Sequence, residues 1–153
     1  MNLKDLIKVK TEKEQGIRVP WDEKGDVGFI ISYCGRDVIV KARKAALKTS
    51  FNYKTRQYDE TLDDEKFDYE IMKSTIVGWW GLKAKNLAEI LDPSTTELVI
   101  SDTDLEQEIS YTPESKDILI KNYNLTFSRF ISAVSMDIEE YRKCKEESLR
   151  KNL

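Results

Sequence analysis

Residues Asp63–Leu82 read DDEKFDYEIMKSTIVGWWGL, and the fold turns on how far the helical pattern in this stretch extends. Asp63, Asp64 and Glu65 open it with carboxylates that suit the positive end of a helix dipole. Phe67, Ile71, Met72, Thr75, Ile76 and Trp79 then follow at the spacing of one helical face. The pattern predicts a helix from about Asp64 to Trp80, stopped by Gly81 in a left-handed cap. Successive helical residues point about 100° apart, so Trp79 and Trp80 face different surroundings. The stripe through Met72 and Ile76 places Trp79 inside. Trp80 is then a candidate contact for a partner, since an indole with one apolar side and one N–H suits an interface.

On the N-terminal side, Val27–Tyr33 (VGFIISY) is β-branched and aromatic and reads as a strand. Ile17–Trp21 is extended because Pro20 pushes Val19 out of the helical region. The two segments are expected to pair as a hairpin across the polar turn Asp22–Asp26. Gly35-Arg36-Asp37 ends the strand, and Asp37 can cap a helix over about Val38–Lys48. Val38, Ala42, Ala45 and Ala46 mark its inner side; Lys41, Arg43, Lys44 and Lys48 mark its wet side. Thr49–Leu62 shows no clear period and reads as a surface loop carrying Phe51, Tyr53 and Tyr58. Lys41, Lys44, Tyr53, Tyr58 and Trp80 together form the expected partner-binding set. Asp59, Thr61, Asp63 and Glu70 loosely imitate an EF-hand, but Asp64 stands where that loop requires glycine.

On the C-terminal side, Ala84–Leu91 reads as a short helix with Leu87, Ile90 and Leu91 inward, ended by Asp92-Pro93. Ser94–Ser110 reads as a loop, with a possible strand at Glu97–Ile100 and an acidic run at Asp102, Asp104, Glu106 and Glu108. Thr112-Pro113-Glu114 is a helix start: cap, proline at the first helical position, carboxylate in the first turn. Phe127, Phe130, Ile131, Val134, Ile138 and Tyr141 predict one terminal helix from about Thr126 to at least Lys145. Residues 1–14 and 142–153 are charged and expected to be flexible. The sum is a single domain over residues 1–153, mainly α (α+β), with helices around a small N-terminal β-hairpin.

Composition narrows the chemistry. The chain has 153 residues and no histidine, which removes Ser-His-Asp and Cys-His catalysis and the common zinc sets. Cys34 and Cys144 stand alone and read as reduced thiols. Arg36 beside Cys34 is a weak activator without a histidine partner. No glycine-rich phosphate loop is present; Gly25-Asp26-Val27-Gly28 has the wrong spacing. The net charge is −3, with acidic and basic residues mixed along most of the chain, which argues against a large nucleic-acid face. No apolar run reaches the roughly 20 residues of a membrane span. A non-enzymatic protein that needs no cofactor or metal is the expectation.

The order of elements supplies one more lead. A strand ending in an aromatic leads into a basic, alanine-containing helix (FIISYCGRDVIVKARKAALK). A polar loop and an acidic helix start follow, then VGWWGL, then EISYTPESKDIL and a terminal aromatic helix. This order resembles a family of small tailed-bacteriophage proteins described as tail assembly chaperones or minor tail proteins. The resemblance rests on a W-x-G-hydrophobic element (Trp79 or Trp80 with Gly81 and Leu82) and a Y-S/T-x-E helix start (Tyr111, Thr112, Glu114). It covers about Val27–Tyr141. It implies a host-cytoplasmic phage morphogenesis factor that binds the tape-measure or tail-tube protein before polymerisation. A tail-completion or baseplate protein retained in the virion, or a small host-directed regulator, are the alternatives. The family offers no catalytic residues to carry over.

Overall fold

The computed structural model describes residues 2–8, 16–99 and 101–151. Three antiparallel strands form its centre. β1 (Gly16–Pro20) pairs with β2 (Gly28–Ser32), and β2 pairs with β5 (Ile76–Trp80), in the order β1-β2-β5. The expected hairpin is therefore present, with Ile17 opposite Ile31 and Val19 opposite Phe29. Between β2 and β5 lie α1 (Arg36–Ala46), β3 (Leu47–Asn52), β4 (Gln57–Leu62) and α2 (Asp64–Thr75). After β5 come α3 (Leu87–Ile90), α4 (Pro113–Lys121), α5 (Leu125–Ser135) and α6 (Ile138–Lys151).

This corrects the mainly α expectation. The protein is a mixed α/β fold, 49% helical and 22% strand, with strands spread through the chain in two small sheets. Two segments account for the difference. The first is the end of the Asp63–Leu82 stretch, where the helix stops at Thr75 and Ile76–Trp80 is a strand. Thr75, Ile76 and Val77 are consecutive β-branched residues followed by Gly78, a run that loses conformational freedom in a helix and fits a pleated surface. The Thr75 hydroxyl donates back to the Ile71 carbonyl at 2.9 Å, inside the last turn. The stripe that continued through Ile76 and Trp79 was real, but positions 76 and 79 reach the core through a strand that bulges opposite Ile30 and Ile31. The second segment is Thr49–Leu62, expected as a loop and found largely as β3 and β4.

Local chemistry explains the other boundaries. Asp63 caps α2, accepting the Lys66 N–H at 3.3 Å, and Thr112 caps α4, accepting the Ser115 N–H at 3.0 Å. The cap of α1 is Gly35 rather than Asp37. The single terminal helix divides at Met136-Asp137, because the Asp137 carboxylate accepts the N–H groups of Glu139 and Glu140 and starts α6 afresh. α6 then continues to Lys151, through the segment expected to be flexible, and Ser148 accepts the N–H of Arg18. Residues 9–14 and 152–153, like Ile100 of the possible strand, lie outside the described residues; Glu97–Val99 are not in a strand. Leu3–Asp5 form one 3₁₀ turn with Leu3, Leu6 and Ile7 exposed.

The core lies between the inner face of the three-stranded sheet and α2, α4, α5 and α6. Phe29, Ile31, Ile76, Ile90 and Phe127 are fully enclosed in it. Trp21, Phe29, Phe127 and Phe130 meet in edge-to-face pairs, with centroids 4.9–6.3 Å apart along the contacts of Trp21 and Phe29. A smaller cluster of Cys34, Ala42 and Ile71 joins α1 to α2.

Candidate protein-docking surface

β3 and β4 form a separate two-stranded ribbon that leaves the end of α1 and returns to the start of α2. Its register pairs Leu47 with Leu62, Thr49 with Glu60 and Phe51 with Tyr58. Side chains alternate across a strand, so these six residues share one face. Lys48, Ser50, Asn52, Gln57, Asp59 and Thr61 make up the other, which is wholly polar. The ribbon is therefore amphipathic, yet its apolar face is not covered. Tyr58 is 73% exposed and Phe51 41%, and Leu47 and Leu62 are exposed as well.

The aromatic residues hold one another. The Phe51 ring sits edge-on to Tyr53 at 5.1 Å and to Tyr58 at 5.3 Å. Tyr53, just beyond β3, is 86% exposed. The turn is built by Asn52, whose side-chain oxygen accepts the N–H of Lys54 at 3.0 Å while its amide donates to Asp59. Arg56 takes a positive φ of 55° to close it. A two-stranded hairpin is marginal in water by itself. Here both ends are anchored: Asp63 N–H donates to the Ala46 carbonyl at 2.8 Å, and Lys48 pairs with Asp63 at 3.1 Å. Lys48 and the Lys66 N–H hold the Asp63 carboxyl below its ordinary pKa.

Lys41 and Lys44 lie on the exposed side of α1 that leads into this ribbon. Among the described residues, neither they nor Arg43 make an ion pair. From Arg36 to Leu62 there are seven Lys and Arg against three Asp and Glu, a net +4 in a chain of net −3. Four of the five expected partner-binding residues, Lys41, Lys44, Tyr53 and Tyr58, thus fall on one connected piece of structure.

Trp80 does not join them. It lies on the outer face of the three-stranded sheet, where its N–H donates to the Gly25 carbonyl at 3.0 Å and the Arg18 guanidinium covers its ring at 4.2 Å. It rests directly on Gly28: a Cβ there would come within 2.2 Å of the indole. Trp80 is thus half-buried and engaged within the protein. Trp79 is inward as expected, 8% exposed, edge-on to Tyr111 at 4.9 Å with its N–H on the Ile109 carbonyl. The reason differs from the one expected, being strand alternation rather than helical rotation. Phe51, Leu47 and Leu62 complete the ribbon face and were not in the expected set. Their period-two spacing, Leu47-Thr49-Phe51, was the available signal, diluted by the polar residues between them.

The remaining candidates are accounted for structurally. Cys34 is buried and Cys144 half-buried; burial raises both thiols, and Glu140 and Glu147 help push Cys144 to about 11. Glu106, in the acidic run, is bonded to Lys83 at 2.9 Å and Lys85 at 2.8 Å, which hold its carboxyl down at about 2. Asp59 and Thr61 lie on the ribbon and Asp63 caps a helix, so the loosely EF-hand-like spacing does not describe a loop. Among the described residues no group of three or more Cys, Asp or Glu is arranged to hold a metal ion. No helix there is long and apolar enough to cross a membrane.

No protein-family model, curated protein or solved structure matches the chain.

Proposed function

We propose that this protein is a non-catalytic binding factor that engages a protein partner through the β3–β4 ribbon and the adjoining basic face of α1. The observation that carries the reading is the ribbon's uncovered apolar face, with Phe51, Tyr53 and Tyr58 clustered on a hairpin that packs on little else. Exposed aromatic clusters of this kind mark interaction sites, because aromatic side chains bury large areas at small entropic cost. The local charge of +4 favours a partner segment that is acidic as well as apolar.

The resemblance to tail assembly proteins specifies the partner as a phage tape-measure or tail-tube protein, bound in the host cytoplasm before it polymerises. The two motifs behind the resemblance touch: Trp79 of the W-x-G element packs on Tyr111 of the Y-T-P-E element. That contact makes them parts of one structural unit, which supports a packing role for the two motifs. The ribbon would shield apolar surface of the partner until assembly consumes it.

Co-expression with tape-measure and tail-tube proteins, followed by affinity capture, tests this. The expected result is recovery of one of them, lost in the Phe51→Ser/Tyr58→Ser double variant. Capture of neither refutes the reading. Salt-sensitive binding to DNA or RNA through Lys41 and Lys44 would replace it with a nucleic-acid role.

A further inference from the structure

The exposed basic side of α1 ends, about 16 Å from the ribbon at 1.5 Å per residue, in a cleft that involves neither β3 nor β4. The cleft holds about 720 Å³ between the end of β2, the first turn of α1 and α6. Three independent features of its lining suit an anion. First, α1 has no side-chain cap. Gly35 occupies the cap position in extended conformation, and the N–H groups of Arg36, Asp37 and Val38 have no acceptor among the described residues. Free N–H groups at the start of an eleven-residue helix concentrate positive potential there.

Second, Ser32 lines the cleft, is only 9% exposed, and its hydroxyl has no hydrogen-bond partner among the described residues. Its oxygen is not among the buried, unsatisfied side-chain atoms, so the hydroxyl opens to the cleft and is free to donate to a ligand there. Third, the cationic side chains of the lining outnumber the anionic. Arg36 and Arg142 make no ion pair among the described residues, Lys145 stands beside them, and Asp37 supplies the one carboxylate. The rest of the wall is partly apolar: the Tyr33 and Tyr141 rings lie 5.3 Å apart, with Val38 and Ile138 nearby.

We propose that this cleft binds a carboxylate carried on a short apolar stem, a glutamate side chain or a chain end of the acidic partner. The carboxylate sits over the first turn of α1, with Ser32, Arg36 and Arg142 as its donors. This deepens the docking role: the aromatic ribbon supplies apolar contact and the cleft supplies a charged anchor on the same helix. Arginine suits the task because its fork matches a carboxylate's two oxygens.

The site can be tested without the partner. Sodium acetate and N-acetylglutamate are titrated into the ¹⁵N-labelled full chain at constant ionic strength set by sodium chloride. The amides of Arg36, Asp37 and Val38 are expected to shift saturably. Arg142→Gln should weaken the response roughly tenfold, as loss of a charge-assisted contact does, and Arg36→Gln should act alike. The Phe51→Ser/Tyr58→Ser variant should titrate like the unaltered chain, so failure here is distinct from failure of the ribbon. Absence of saturable shifts at these amides, a response to inorganic phosphate alone, or shifts unchanged in both arginine variants would overturn the proposal.

Discussion

Replacing each tryptophan of the GWWGL stretch by alanine tests the placement of the two indoles on opposite faces of β5, one in the core and one on the outer side of the sheet. Trp79 is 8% exposed, edge-on to Phe29 and Tyr111, and donates to the Ile109 carbonyl at 2.8 Å. Removing a buried indole of this kind costs about 3–5 kcal/mol. For a chain of this length each kcal/mol moves the thermal midpoint by about 2–4 °C, so Trp79→Ala should lower it by roughly 6–20 °C. Trp80 contributes one hydrogen bond to Gly25, worth about 1 kcal/mol, and one partly exposed guanidinium contact, worth about 0.5–1 kcal/mol. With its partial burial, Trp80→Ala should cost about 2 kcal/mol, or roughly 4–8 °C. Thermal unfolding followed by circular dichroism reads both. A Trp80→Ala loss equal to or larger than that of Trp79→Ala would refute the placement of the two indoles on opposite faces of β5. Near-neutral Trp79→Ala would refute its role in the core.

Other consequences follow from single groups. Ser135 is buried and its hydroxyl lacks a partner, so Ser135→Ala should stabilise the protein by about 1 kcal/mol in urea unfolding. With its thiol at about 11, Cys144 should alkylate at pH 8 roughly a hundredfold more slowly in the native protein than in the denatured chain, measured by mass spectrometry with iodoacetamide. Asp63, Asp92, Glu106 and Asp117 all have depressed folded values, held down chiefly by Lys48, Ser94, Lys85 and Lys121 respectively. Their stabilisation is complete above the ordinary carboxylate range and is lost as pH falls through the folded values. The thermal midpoint should therefore decline from about pH 5 toward pH 2, and Glu106→Gln should flatten part of that slope. Asp68, raised by burial, works in the opposite direction and offsets part of the decline.

Sequence patterning carried the parts of the fold that are set locally. The β1–β2 hairpin, the Thr112 cap with Pro113 behind it, and the amphipathic α1 follow from alternation, capping chemistry and periodicity within one segment. Ile76–Trp80 was not legible, because two periods agree there. Ile76 and Trp79 lie three apart, which suits a helix, and the β-bulge opposite Ile30 and Ile31 lets a strand send both inward. Only pairing with β2, 45 or more residues earlier, distinguishes the two. The break at Met136-Asp137 was hidden for a different reason: the apolar stripe continues across it, from Val134 to Ile138, while a single aspartate takes the free N–H groups. At the candidate site, Lys41, Lys44, Tyr53 and Tyr58 were legible as exposed residues in a basic and aromatic segment. Their assembly through the Phe51–Tyr58 pairing was not, since β3 and β4 each carry only two apolar residues in six, with Thr49 and Glu60 interrupting the alternation. The involvement of Trp80 within the sheet depends on Gly28 and Arg18, distant in sequence and brought beneath and above the indole by strand pairing.

The central claim is that the ribbon face is kept for a partner rather than for stability. The direct measurement is the Phe51→Ser/Tyr58→Ser double variant, assayed for urea unfolding and for capture of co-expressed tape-measure or tail-tube protein. Both side chains are exposed and touch chiefly each other and Tyr53, so unfolding free energy should change by about 1 kcal/mol or less. Capture should fall below detection. A variant that binds its partner undiminished, or one that unfolds several kcal/mol more easily, would show that the aromatic face serves the fold and not a partner.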